Sequence, residues 1–106
     1  MDARIERLTK EFKRGLEAIY AGRLRGVYVY GSYARGEQDG ESDLDLVVVL
    51  DQVERYGSEV DRTGELCSGL ALRHGLSVSR VFVAEEDWAR GTPQFVAMAR
   101  SEAVPA

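Results

Sequence analysis

Four residues in the first half of the chain have types and spacing suited to phosphate chemistry. Gly31 and Ser32 directly follow the short run Gly26-Val27-Tyr28-Val29-Tyr30, and Asp43 and Asp45 open a second apolar run that ends at Leu50. A glycine and a serine placed just after a strand let the backbone turn sharply, so that amides at the start of the next helix point at an anion. Gly31 permits close approach, while the amide and hydroxyl of Ser32 can both bond phosphate oxygens. Asp43 and Asp45 are two apart on an extended segment, so their carboxylates leave one face while Leu44 and Leu46 face the other. Two such carboxylates repel unless a cation lies between them. Magnesium suits the pair, because it favours oxygen ligands and combines one or two carboxylates with substrate phosphates and water. The chemistry this predicts is the holding of a nucleoside triphosphate, with the metal orienting the α-phosphorus and offsetting charge on attacking and leaving oxygens.

Competing readings of the same residues fail on their details. Asp39, Glu41, Asp43 and Asp45 alternate as in a calcium loop, but Leu44 stands where the sharp glycine turn belongs and Leu50 where the bidentate glutamate belongs. No Walker lysine follows a glycine loop, and Gly31-Ser32 lacks the flanks of a hydrolase nucleophile elbow. Arg35 can be read either as a phosphate contact or as a solvated arginine on a turn. Tyr28, Tyr30, Tyr33 and Trp88 read as core or interface aromatics before base-stacking ones. His74 and Cys67 read as structural, the first near a helix end and the second as a small buried residue.

The elements that must position these groups follow from periodicity. Ile5, Leu8, Phe12, Leu16 and Ile19 recur at steps of three and four, which predicts an amphipathic helix closed near Gly22 by a left-handed cap. Gly26 to Tyr30 predicts a strand that stops at Gly31, and Gly36 to Ser42 a polar loop. Asp43 to Leu50 predicts a central strand, its far end buried on both faces and its near end open to a ligand. Asp51 with Glu54 has the spacing of a capping box, and Val53, Tyr56, Val60, Thr63, Cys67, Leu70 and His74 continue at helical steps to a stop at Gly75. Gly57, Gly64 and Gly69 inside that helix mark either interruption or close packing. Leu76 to Ala84 predicts a third strand followed by an acidic turn, Glu85-Glu86-Asp87. Thr92 and Pro93 predict the N-cap and first position of a last helix through Phe95, Val96, Met98 and Ala99. The alternation places the chain in the α/β (α+β) class, a small sheet flanked by helices forming one domain over residues 1–106.

Composition narrows the partners. A formal charge of −4 gives no long-range pull toward the phosphates of a nucleic acid, which argues against a general DNA or RNA binder. A triphosphate is not excluded, because local amides and a metal hold it whatever the net charge. No apolar run approaches a membrane span, and Met1-Asp2-Ala3-Arg4-Ile5-Glu6 lacks the layout of a signal peptide, so the chain reads as cytoplasmic.

Gly31-Ser32-Tyr33-Ala34-Arg35-Gly36 followed by Ser42-Asp43-Leu44-Asp45-Leu46 resembles the signature of the nucleotidyltransferase superfamily, a Gly-Ser on a helix turn and then Asp-x-Asp about ten residues on. Within that superfamily, whose fold is the one of DNA polymerase beta, the segment is similar to the minimal nucleotidyltransferases of the antitoxin-type branch. The resemblance is strongest from Val27 to Leu50 and compatible across nearly the whole chain. It implies catalytic and magnesium-binding roles for Asp43 and Asp45, triphosphate contacts from Gly31, Ser32 and Arg35, and ATP as substrate. Family members are usually encoded beside a helical HEPN-domain protein, and some act as antitoxins that transfer AMP onto it. Active members carry a third carboxylate on the strand after the long helix. The position aligned with it here is Ser79, whose hydroxyl is neither a charged metal ligand nor an effective general base.

Two functions therefore stand side by side. One is magnesium-dependent transfer of a nucleoside monophosphate to a protein or small acceptor hydroxyl. The other is a degenerate module that regulates a HEPN-like partner by contact. In either case a second protein, or a second copy of the chain, is expected to complete the site.

Overall fold

A computed structural model describes residues 3–106 of the 106-residue chain. Met1 and Asp2, which open the segment read for a leader, lie outside the described residues. The chain runs as helix α1 (Ala3–Tyr20), a single 3-10 turn (Ala21–Arg23), strand β1 (Leu24–Tyr30), the short helix α2 (Ser32–Arg35) and strand β2 (Leu44–Leu50). Helix α3 (Tyr56–His74), strand β3 (Val78–Ala84), helices α4 (Glu85–Arg90) and α5 (Gln94–Glu102) and the two-residue strand β4 (Val104–Pro105) complete it. The sheet order is β3-β2-β1-β4, with β2 parallel to β3 and antiparallel to β1, which is itself antiparallel to β4. The sheet is thus mixed, with helices on both faces, and β2 lies between neighbours as its apolar sequence requires.

The period of two in β1 and β2 separates two cores. On one face Val27, Val29, Leu44, Leu46, Val48 and Leu50 pack under the apolar stripe of α1 (Ile5, Leu8, Phe12, Leu16) and under Cys67 and Leu70 of α3. Each of these large side chains removed from water contributes about 1.5–3 kcal/mol. On the other face Tyr30, Val47, Val49 and Val83 meet Val96 and Ala99 of α5, with Tyr28 and Trp88 at the margin. Asp45 belongs to this second face by alternation, so the acidic end of β2 opens on the side covered by α4 and α5. No helix is long and apolar enough to cross a membrane among the described residues.

Several sequence expectations change at the element ends. Asp51 and Glu54 do not form a capping box: α3 begins at Tyr56 behind Arg55, which makes no side-chain cap. The Asp51 carboxylate instead accepts from Arg23 Nε at 3.0 Å and from the Gln52 amide at 2.8 Å. The left-handed residue after α1 is Ala21 (φ 49°), not Gly22. Gly57, Gly64 and Gly69 neither break α3 nor mark packing against another element, since a Cβ at Gly57 or Gly64 would meet nothing within 4 Å and one at Gly69 only Arg73 of the same helix. The acidic run is the first turn of α4 rather than a turn between elements. Pro93 stands at the N-cap of α5, one position later than the Thr92-Pro93 pattern predicts.

Two polar links tie α1 to α3. Tyr20 donates its hydroxyl to Glu59 Oε1 at 2.8 Å, and Glu59 is 4% exposed, with Arg23 and Arg62 at 3.7 and 3.6 Å offsetting its charge. Burial, with the bonded Glu59 carboxylate behind it, pushes the Tyr20 hydroxyl well above the usual phenol range. At the other end of the pair, Glu11 receives Arg73 and His74, which assigns His74 a structural contact.

Candidate nucleotide site

Strand β1 delivers Gly31 at its end, and the sign of φ there decides the turn. Gly31 has φ 75° and ψ −154°, a conformation that a residue with a Cβ rarely adopts. The chain turns into α2, stabilised by the Arg35 amide donating to the Gly31 carbonyl at 3.1 Å and closed by Gly36 in the left-handed region. Tyr33 anchors this helix by burying its ring in the α1/α3 core. Neither the Ser32 hydroxyl nor its amide has a hydrogen-bond partner among the described residues, and the side chain is half-buried at the mouth of the turn. These are the donors that a phosphate group would need.

Strand β2 brings the carboxylates. Asp45 pairs with Tyr30 on β1, and its Oδ2 lies so close to the Gly31 Cα that a Cβ added there would stand 2.5 Å away. Asp43 precedes β2 and is exposed. Burial holds the Asp45 carboxyl above the usual carboxylate range, and the negative charges of Asp43 and Glu102 add to that; Arg35 acts weakly against them. Nearby, burial and then the Asp45 charge push the Tyr30 hydroxyl up to about 12. Crowded carboxylates beside open phosphate donors fit a hard divalent cation, whose charge would relieve the repulsion. Asp43 and Asp45 are the side chains that could hold one. No group of three or more His, Cys, Asp or Glu residues is gathered for a metal among the described residues.

Ser79 stands directly across from Asp45 in the parallel β2–β3 register. A carboxylate at that position would face the Asp45 carboxylate from the adjacent strand; a serine leaves that side of the site uncharged. Arg35 is engaged by acidic neighbours, its Nε bonded to Glu37 at 3.0 Å and its Nη1 to Glu102 at 2.8 Å. The aromatic residues near the site are packing residues: Tyr28 stacks on Trp88 with centroids 4.8 Å apart, and Tyr30 meets Phe95 edge-on.

Sequence reasoning missed Glu102. Its Oε1 accepts from the Gly31 amide at 2.9 Å, an anion seated at the very turn expected to hold one. The two residues are 71 positions apart, and no local pattern around Glu102 announces the contact.

Comparison with known proteins identifies the family. The nucleotidyltransferase-domain family model matches residues 7–99, and the chain belongs to that family. It is 35% identical over 81 residues to a Methanocaldococcus jannaschii protein named as a candidate protein adenylyltransferase, an alignment spanning 76% of this chain and 75% of that one. Among solved structures, a protein described as a candidate minimal nucleotidyltransferase is 26% identical, with a TM-score of 0.62 over 100% of this chain and 97% of the other. A toxin–antitoxin structure crystallised with AMP-PNP shares the fold, with a TM-score of 0.64 at 20% identity over 91% of this chain and 69% of that one.

Proposed function

We propose that this chain binds ATP with magnesium at the Gly31-Ser32 turn and transfers the AMP moiety to a hydroxyl of a protein or small acceptor. The observation that carries this reading is the packing of Asp45 against Gly31 beside the unpartnered amide and hydroxyl of Ser32. Ser32 would bind phosphate oxygens, and Asp43 and Asp45 would hold the metal. When bound, the metal supplies positive charge where the triphosphate and the departing pyrophosphate carry negative charge. The acceptor oxygen bonds to the α-phosphorus as the bond to pyrophosphate breaks, and the acceptor proton must leave. The kinship to a candidate protein adenylyltransferase supports AMP as the group and a protein as the acceptor. The shared fold of a toxin–antitoxin protein supports a protein partner; in this proposal the partner is a HEPN-like helical protein and the chain acts in the cytoplasm.

A second reading has its own observation. Ser79 opposite Asp45 leaves β3 without a carboxylate at that position to take the acceptor proton while Asp43 and Asp45 hold the metal, which favours a module that binds nucleotide and regulates its partner by contact. Incubation with α-labelled ATP and magnesium, with and without a co-purifying partner, separates the two. Label on an acceptor supports transfer; saturable ATP binding with no label supports the contact module; no binding in either preparation rejects both.

A further inference from the structure

The Gly31-Ser32 turn must be held from both sides, because a four-residue helix has almost no stability of its own. Asp45 packs against it from β2. We propose that Glu102 is the second support, a positioning residue that braces the turn from α5 and keeps the Ser32 amide and hydroxyl aimed at a phosphate. The proposal rests on the nucleotide reading of this site and names what fixes its geometry.

One carboxylate fastens both ends of α2. Glu102 Oε1 accepts from the amide of Gly31, the N-cap, and Oε2 accepts from Nη1 of Arg35, the last helical residue. The Glu102 side chain is only 19% exposed, so its bond to the Gly31 amide is partly shielded from water, while the bond to the exposed Arg35 lies at the surface; both are assisted by charge. Its own position is fixed by the chain that follows. Val104 and Pro105 pair with Val29 and Tyr28 of β1, and the Ala106 amide donates to the Val27 carbonyl at 3.0 Å. The strand that delivers Gly31 therefore also anchors the segment carrying its brace.

The pairing gives Arg35 a different task from direct phosphate contact. A bare carboxylate beside a triphosphate would repel it, and the guanidinium, shared between Glu102 and Glu37, offsets part of that charge. The opposite idea treats Glu102 as an internal anion that a triphosphate must expel. Against it, Glu102 occupies the Gly31 amide and leaves both Ser32 donors open.

The test is calorimetric titration of α,β-methylene ATP with magnesium into the full chain, alongside the Gly31 amide signal in 15N-correlated spectra without nucleotide. Glu102→Ala should weaken binding about tenfold and shift the Gly31 signal. Glu102→Gln, which keeps an acceptor for that amide, should retain more affinity. Arg35→Ala should weaken binding through the exposed Glu102 charge, and adding Glu102→Ala to it should recover part of the loss, a non-additive cycle. Wild-type affinity in folded Glu102→Ala would overturn the brace, and tighter binding would overturn it in favour of the expelled anion. No binding by the folded wild type would overturn the nucleotide reading itself, and the brace with it.

Discussion

Asp45 Oδ2 fills the space that a side chain on Gly31 would need, leaving 2.5 Å between that oxygen and a Cβ built on the glycine. The contact makes Gly31 irreplaceable for two separate reasons. Its φ of 75° disfavours any residue with a Cβ, and the Cβ would drive the Asp45 carboxylate away from the turn. Gly31→Ala should cost about 1–3 kcal/mol of stability and abolish detectable ATP binding. Chemical denaturation and calorimetry check the two effects, and a variant that binds ATP with wild-type affinity would show that the carboxylate and the turn act independently.

The carboxylates themselves are tested by linkage. ATP with magnesium should raise the melting temperature by binding the native state, by about 2.7 kcal/mol of stabilisation at a hundredfold excess over Kd. Asp43→Ala with Asp45→Ala should remove most of that rise. An unchanged rise in the double variant would place the triphosphate elsewhere on the molecule.

Away from the site, the Tyr20–Glu59 bond joins α1 to the start of α3 in a buried environment. Tyr20→Phe keeps the ring's packing and removes the donor, leaving Glu59 with only the more distant arginines. The expected loss is about 1.5–3 kcal/mol in urea unfolding, the value of a hydrogen bond to a charged group. A change below about 0.5 kcal/mol, as is usual at surface positions, would mean that Arg23 and Arg62 already neutralise Glu59.

How legible the molecule was from sequence depends on whether a feature is written in local periodicity. Helix α1, the three long strands and the body of α3 each carry enough repeats of 3.6 or 2 to be read directly, and Gly31 and Gly75 marked real reversals. Features made by distant contacts were not legible. Strand β4 is two residues long and exists because β1 offers it an edge; α4 spans six residues, too few to show a period. The Asp51–Glu54 spacing was misleading because Arg23, folded back from before β1, claimed the Asp51 carboxylate. Within the site, Ser79 was singled out through the family resemblance and its register opposite Asp45 came from the fold, as did the reach of Glu102 to Gly31.

The Glu11 cluster gives a prediction in pH. The Arg73 guanidinium bonded to Glu11, with His74 behind it, holds the Glu11 carboxyl below its ordinary value despite an opposing desolvation effect. A carboxyl depressed in the folded state stabilises above its unfolded value, and that contribution is lost as pH falls through its folded value. Glu11→Gln should therefore lower the melting temperature slightly at neutral pH, and the gap to wild type should close as pH falls below the ordinary glutamate range. The exposed Arg73 makes the effect salt-sensitive. A gap that persisted unchanged into acid would assign the loss to packing instead.

The last prediction concerns the side of the site that Ser79 leaves uncharged. Ser79 and Asp45 are register partners on adjacent parallel strands, and the period of two puts Ser79 on the face that carries Val81 and Val83, which is also the face of Asp45. Ser79→Asp therefore introduces a carboxylate pointing at the existing pair, with no change to the turn or to Glu102. Without metal, the third like charge should destabilise the fold by about 0.2–1 kcal/mol, the range for cross-strand charge pairs. With magnesium the sign should reverse: the variant should bind the metal more tightly and stabilise more per unit of added magnesium than the wild type. If the wild type transfers AMP poorly because a charged group is missing opposite Asp45, labelled transfer should rise in Ser79→Asp and stay absent in Ser79→Asn, which matches its size without its charge. Robust transfer by the wild type would defeat this account, because an acceptor proton would then be leaving by a route that needs no carboxylate at position 79.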